Sequence, residues 1–282
     1  CYGLLKHLRV HAIPAFFAGG MTLMLPMVHQ HLGVLAHVPL FAVLYCLRAM
    51  LVFGRHPSPW RGIVVGLWLA AASWLNHELA IVFILSAAVP CLILVRLRHF
   101  KPFAIGGAIL TLFVPIVFAV PLFLGYHFTP EVAAQDDLLG GLVSSSATGS
   151  SWLRSVWSPL LAPKHIEVVS DAASVALFPG LLKVLLATSG LLYGIRRRHL
   201  RRTTLFLFFT MVVSVIGSMG ASLMPDEGGL WSTLLVSVPG LAWVSQPWQF
   251  GLLTHITLII FAGFGLQGMM RVRLHTQRPG QN

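Results

Sequence analysis

Eight long apolar runs, separated by short polar or basic segments, account for most of the 282 residues. They are Val10–Val28, Leu32–Phe53, Gly62–Leu75, Leu79–Val95, Phe103–Leu124, Val175–Ile195, Thr203–Leu223 and Phe250–Met270. An α-helix needs about 20 apolar residues to cross a hydrocarbon core about 30 Å thick. Lipid offers the backbone no hydrogen bonds, so a spanning segment must satisfy its own, as a helix does. The pattern predicts an all-α fold: a polytopic transmembrane helical bundle with about eight crossings. Residues 1–282 then form a single transmembrane domain with no independent soluble domain. Composition agrees, because only 10% of residues are charged, against about 25% in soluble domains.

A net charge of +11 invites a nucleic-acid reading. The placement of the charges excludes it: Lys and Arg fall in short clusters between apolar runs, and no nucleic-acid motif is present. If alternate connections share a side, sixteen of the nineteen basic residues fall on one side, from Lys6 and Arg9 to Arg271, Arg273 and Arg278. The excess of positive charge assigns that side to the cytoplasm. The expected setting is a bacterial inner membrane, with both ends of the chain cytoplasmic. Cys46 and Cys91 lie in apolar runs and read as small hydrophobes. A lipidated Cys1 outside the membrane conflicts with the nearby Lys6 and Arg9, so a fragment lacking upstream sequence is expected instead.

The acids sort the other way. Glu131, Asp136, Asp137, Glu167, Asp171, Asp226 and Glu227 lie in two long outer connections, Gly125–Ser174 and Met224–Gln246. Within the first, Gly140–Ser151 reads as a flexible Gly/Ser stretch. Trp152, Leu153, Val156, Trp157 and Leu160 then mark a short interfacial helix, which suits either a connector or a lid. Glu78 stands apart. The third run has fourteen residues, rising about 21 Å, so the apex Asn76-His77-Glu78 is expected below the outer surface. An acid at that depth is costly unless it faces a cavity or a partner. Either a functional carboxylate or a polar turn pairing Glu78 with a histidine fits the spacing. His29, His31, His37, His77 and His127 are expected at the same level, a set chemically able to hold a divalent metal. His-x-His on an irregular turn is a weak metal signal, and the expected cofactor is none.

Two groups of residues carry a family resemblance. The first is His31-Leu32-Gly33-Val34-Leu35, Pro39-Leu40, Gly66-Leu67 and the apex at Asn76. The second is Val238-Pro239-Gly240-Leu241, Gln246-Pro247-Trp248-Gln249-Phe250 and Ala262-Gly263-Phe264-Gly265-Leu266. Together they resemble the C-type (GT-C) superfamily of bacterial polytopic membrane glycosyltransferases. The resemblance implies transfer of a sugar from a polyprenyl-phosphate carrier at the extracytoplasmic face, with the bilayer and a lipid-linked sugar as partners. It implies Glu78, Asp136 and Asp137 as candidates for the catalytic carboxylate, and His31, His77, Gln246 and Gln249 as substrate-binding positions. Two departures stand out. The superfamily's acidic first outer loop has no counterpart in His29-Gln30-His31, and Gln246 and Gln249 stand where relatives carry arginines. A transporter or flippase of a lipid-linked or small polar substrate is the second reading, and a non-catalytic subunit of an envelope complex the third. Transporters show internal repeats with matching broken helices, but the prolines Pro115 and Pro121 have no matching pair.

Overall fold

The computed structural model describes residues 1–23, 25, 40–94, 102–127, 179–219, 244 and 247–276; side chains are described for 105–118 of the third of these long stretches and up to 271 at the end. Every described element is helical. The α-helices are α1 Tyr2–His7, α2 Ala12–Leu23, α3 Leu40–Arg55, α4 Pro59–Leu75, α5 His77–Ala88, α6 Pro102–His127, α7 Leu181–Arg196, α8 Arg201–Met219 and α9 Phe250–Thr276. Two 3₁₀ turns, Pro90–Ile93 and Pro247–Gln249, complete the set. Each of the helices α2 to α9 overlaps one apolar run of the sequence.

Two of the described helices are long and apolar enough to cross a membrane, Arg201–Met219 and Pro247–Arg271. Shorter apolar helices are Ala12–Leu23 and His77–Ala88, together with the stretch Ile105–Phe118 of α6. Several boundaries differ from the sequence expectation, the following three among them. Helix α4 starts earlier, at Pro59, because Ser58 caps it by accepting from the Arg61 N–H at 3.4 Å and proline suits the first helical position. Helix α5 stops at Ala88, where Val89 and Pro90 turn the chain into the 3₁₀ segment. Helix α6 continues to His127, so the connection expected from Gly125 begins after 127. The remainder of that connection, with Gly140–Ser151 and the expected interfacial helix at 152–158, lies outside the described residues. So does the second connection, 224–246, apart from the buried Val244.

Helix α9 is the spine. It packs on α7, α8, α2 and α5, and Phe250 to Thr257 are all buried. Close approach is made by glycine. A β-carbon at Gly190 of α7 would overlap the Phe261 carbonyl of α9, and one at Gly265 would overlap the Leu186 carbonyl. On α8, Gly217 seats the Phe250 ring, whose nearest carbon is 2.6 Å from the position of an added β-carbon. A second group joins α4 to α6 through Gly62, Gly66 and Gly107, where Thr111 Oγ1 donates to the Gly62 carbonyl at 3.2 Å. The spacing Gly62-x-x-x-Gly66 is a small-residue pattern that lets helices pack closely, and Gly194, one turn after Gly190, seats the Thr204 side chain of α8.

The outward faces are strongly apolar. Phe16 is 72% exposed, Leu23 76%, Trp60 70%, Leu112 65% and Leu182 68%. Buried polar side chains lie inward instead, among them Ser86, Thr210, Ser214, Ser218, Gln249, Thr254, His255 and Thr257. Cys46 is buried as expected, whereas Cys91 is half-buried in the 3₁₀ turn, its thiol donating to the Ala88 carbonyl at 2.8 Å.

Candidate functional site

Asn76 makes the apex. Its backbone is extended (φ −158°, ψ 101°), a conformation that breaks the helix. Its N–H still donates to the Ala72 carbonyl of α4 at 2.8 Å, and its Oδ1 accepts from the Leu79 N–H of α5 at 2.9 Å. One residue therefore ends α4 and caps α5, which fixes the angle between them. Glu78 follows in the first turn of α5, where the positive end of the helix dipole favours an anion.

The carboxylate is tied across the molecule. Gln249 Nε2 donates to Glu78 Oε2 at 2.8 Å, linking two residues 171 positions apart. Gln249 is 1% exposed and is set by the 3₁₀ turn Pro247–Gln249, with Trp248 4% exposed beside it. Glu78 itself is half-buried, with Leu79, Val82 and Phe83 buried along the same helix. An amide partner positions a carboxylate without neutralising its charge. The arrangement is a half-buried carboxylate held by a buried amide.

Two sequence-predicted site residues, Glu78 and Gln249, are thus brought together, and His77 is the chain neighbour of Glu78. Pairing of Glu78 with a histidine was one sequence expectation; the Gln249 amide is one partner that the structure gives it. His31, Asp136, Asp137 and Gln246 lie outside the described residues, as do His29 and His37. Among the described residues no group of three or more His, Cys, Asp or Glu side chains is placed to hold a metal ion.

A row of hydroxyls lies deeper, and the sequence reading missed it. The contact between Gly217 and Phe250 sets the register of α8 against α9. Counting one turn inward on each antiparallel helix puts Ser214 level with Thr254. Ser86 lies about 12 Å along α5 from Glu78. The hydroxyls of Ser86, Ser214 and Thr254 are fully buried and have no hydrogen-bond partner among the described residues. Thr203, Thr210, Ser214 and Gly217 recur every three, four or seven positions along α8, a polar stripe on an otherwise apolar helix. That stripe was the available signal.

No protein family, no curated protein and no solved structure matches this chain.

Proposed function

We propose that the chain is a multi-pass inner-membrane protein of about eight crossings that transfers a sugar from a polyprenyl-phosphate carrier at the extracytoplasmic face. The observation that carries the reading is the Glu78 carboxylate held at 2.8 Å by the buried Gln249 amide, at a helix apex set among apolar side chains. Large exposed hydrophobics and glycine-mediated helix contacts support the membrane setting. In the proposed reaction Glu78 takes the proton from an acceptor hydroxyl. The resulting oxygen attacks the anomeric carbon, and the polyprenyl phosphate departs with the electrons of the broken C–O bond. Gln249 keeps the carboxylate aimed, and His77 is placed to contact the sugar or its phosphate. Asp136 and Asp137 remain candidate carboxylates of the outer connection.

The test uses the full chain in lipid nanodiscs with a polyprenyl-phosphate-linked hexose, reading release of polyprenyl phosphate. Glu78→Gln is expected to lower the turnover rate by about 10²–10⁴-fold with little change in KM. Unchanged turnover in that variant removes Glu78 from catalysis, and no release by the unaltered protein from any carrier-linked hexose removes the transferase reading. A second reading, passage of a polar substrate, is favoured by the buried hydroxyls of Ser86, Ser214 and Thr254 beneath Glu78. Substrate uptake by sealed proteoliposomes without release of polyprenyl phosphate would establish it instead.

A further inference from the structure

The end of the bundle remote from Glu78 gathers cations from four separate parts of the chain. Along α9, Arg271 lies about 33 Å from Gln249. The elbow between α1 and α2 is pinned beside this end of α9, because the His11 N–H donates to Gln267 Oε1 at 2.7 Å. The last turn of α7 is pinned there too, with the Tyr193 ring 3.1 Å from where a β-carbon on Gly268 would stand. Arg197 lies over that ring at 5.3 Å. Helix α3 arrives through Arg48, whose Nη1 is 3.8 Å from the β-carbon position of Gly3. His199, in the turn between α7 and α8, is held below its ordinary titration range by partial burial and then by Arg9, Arg197, Arg271 and Arg55. His7 is lowered as well, by burial and then by Arg55 and Arg48. Among the described residues the only carboxylate side chain is Glu78, at the opposite end.

Arg9 adds an independent observation. The Val10 N–H donates to the Leu5 carbonyl and the Arg9 N–H to the Lys6 carbonyl, both at 3.0 Å. These two bonds close α1 with a Schellman motif. Such a motif places the residue after the C-cap in the left-handed region, where glycine is the easy choice. Here that residue is Arg9, at φ 64°, the only non-glycine with positive φ among the described residues. An exposed arginine thus occupies a position where the backbone disfavours it, at the centre of a cluster of cations. Apolar side chains flank the cluster on the same helices: Ile13 and Phe16 of α2, Leu192 of α7 and Met269 of α9 are all exposed.

We propose that Arg9, Arg55, Arg197 and Arg271, gathered around His199, together with Arg48, which with Arg55 acts on His7, bind the phosphate headgroup of an anionic phospholipid. The flanking exposed side chains then pack against its acyl chains. A guanidinium cluster suits a phosphate through paired N–H donors. The adjoining apolar surface favours a lipid over a free phosphate. The inference rests on the membrane setting and not on glycosyl transfer.

The test is native mass spectrometry of the full chain in detergent, titrated with phosphatidylglycerol and with phosphatidylcholine. The anionic lipid is expected to bind about tenfold or more tightly than the zwitterionic one. Arg9→Gly and Arg271→Gln should each reduce that preference, whereas Arg202→Gln, equally basic but outside the cluster, should leave it intact. Arg9→Gly is informative because glycine suits the backbone there, so the fold survives. Equal binding of the two lipids overturns the site, as does equal loss in all three variants, which would indicate diffuse surface charge. Complete displacement by inorganic phosphate overturns the lipid assignment in favour of a soluble phosphate ligand. Alkaline carbonate washing of membranes keeps the two premises separate. A chain released by it refutes the membrane setting, and a retained chain with no lipid preference refutes only the site.

Discussion

At the scale of single residues, two partly buried histidines set a pH dependence and one arginine a backbone demand. His7 and His199 are both held below their ordinary value of about 6.5, by burial first and neighbouring arginines second. The unfolded chain therefore takes up protons on these imidazoles before the folded one does. Stability from this source is complete above about pH 6.5 and falls as pH drops through that value toward the lower folded values. The thermal midpoint in neutral detergent should decline between about pH 7.5 and 5.5, and His7→Gln with His199→Gln should flatten the decline. Phosphatidylglycerol should flatten it too, since a bound anion favours the imidazolium. Greater stability in the unaltered protein at the acid end, lost in the double variant, would reverse the sign and exclude this account. Arg9→Gly should leave stability unchanged or raise it by up to about 1 kcal/mol, because relief of the left-handed backbone is partly offset by glycine's freedom in the unfolded chain. Glu78 was legible in the sequence because a carboxylate at an apex between two apolar runs has few ways to exist. Its Gln249 partner was nominated only for a phosphate contact. A bond across 171 positions leaves no trace in local spacing.

At the scale of elements, run length located the helices and glycine decides how they meet. Run boundaries erred where capping chemistry outweighs hydropathy, at Ser58-Pro59 and at Val89-Pro90. The pairing of α7 with α9 depends on Gly190 and Gly265, whose missing side chains let backbones touch. The glycines that mark these interfaces are plain in the sequence, but apolar run length alone passes over them. Gly190→Leu should destabilise the protein by at least about 1–3 kcal/mol, since the side chain has no space without separating the helices. Gly106→Ala on α6, where nothing lies within 4 Å of the added carbon, should be neutral or slightly stabilising. Thermal unfolding of both variants in the same detergent checks the pair. Comparable loss at the two sites would mean that helix propensity, and not close approach, governs these glycines.

At the scale of the whole molecule, the charge pattern predicts an orientation that labelling can test. Gln249, in the 3₁₀ turn that leads into α9, makes the Glu78 contact at one end, and α9 carries Arg271 at the other. The span between them, about 33 Å, is close to the hydrocarbon thickness. One end therefore presents the sole described carboxylate and the other presents the arginine cluster, with exposed hydrophobics between. In the proposed membrane setting the positive-inside rule predicts a cytoplasmic position for the cluster and for the turn Arg197 to Leu200. Single cysteines at Ser145, in the outer connection, and at His199, in the basic turn, read the two sides directly. The background requires replacement of Cys1, Cys46 and Cys91; Cys46 is buried, so alanine suits it better than serine. With a membrane-impermeant maleimide on intact cells, Ser145→Cys should label and His199→Cys should label only after lysis. The reverse result inverts the topology and moves Glu78 to the cytoplasmic side, where a polyprenyl-linked sugar donor at the outer face could not reach it. Labelling of both in intact cells would mean that the helices between these two positions do not separate two compartments, and the crossing pattern itself would fail.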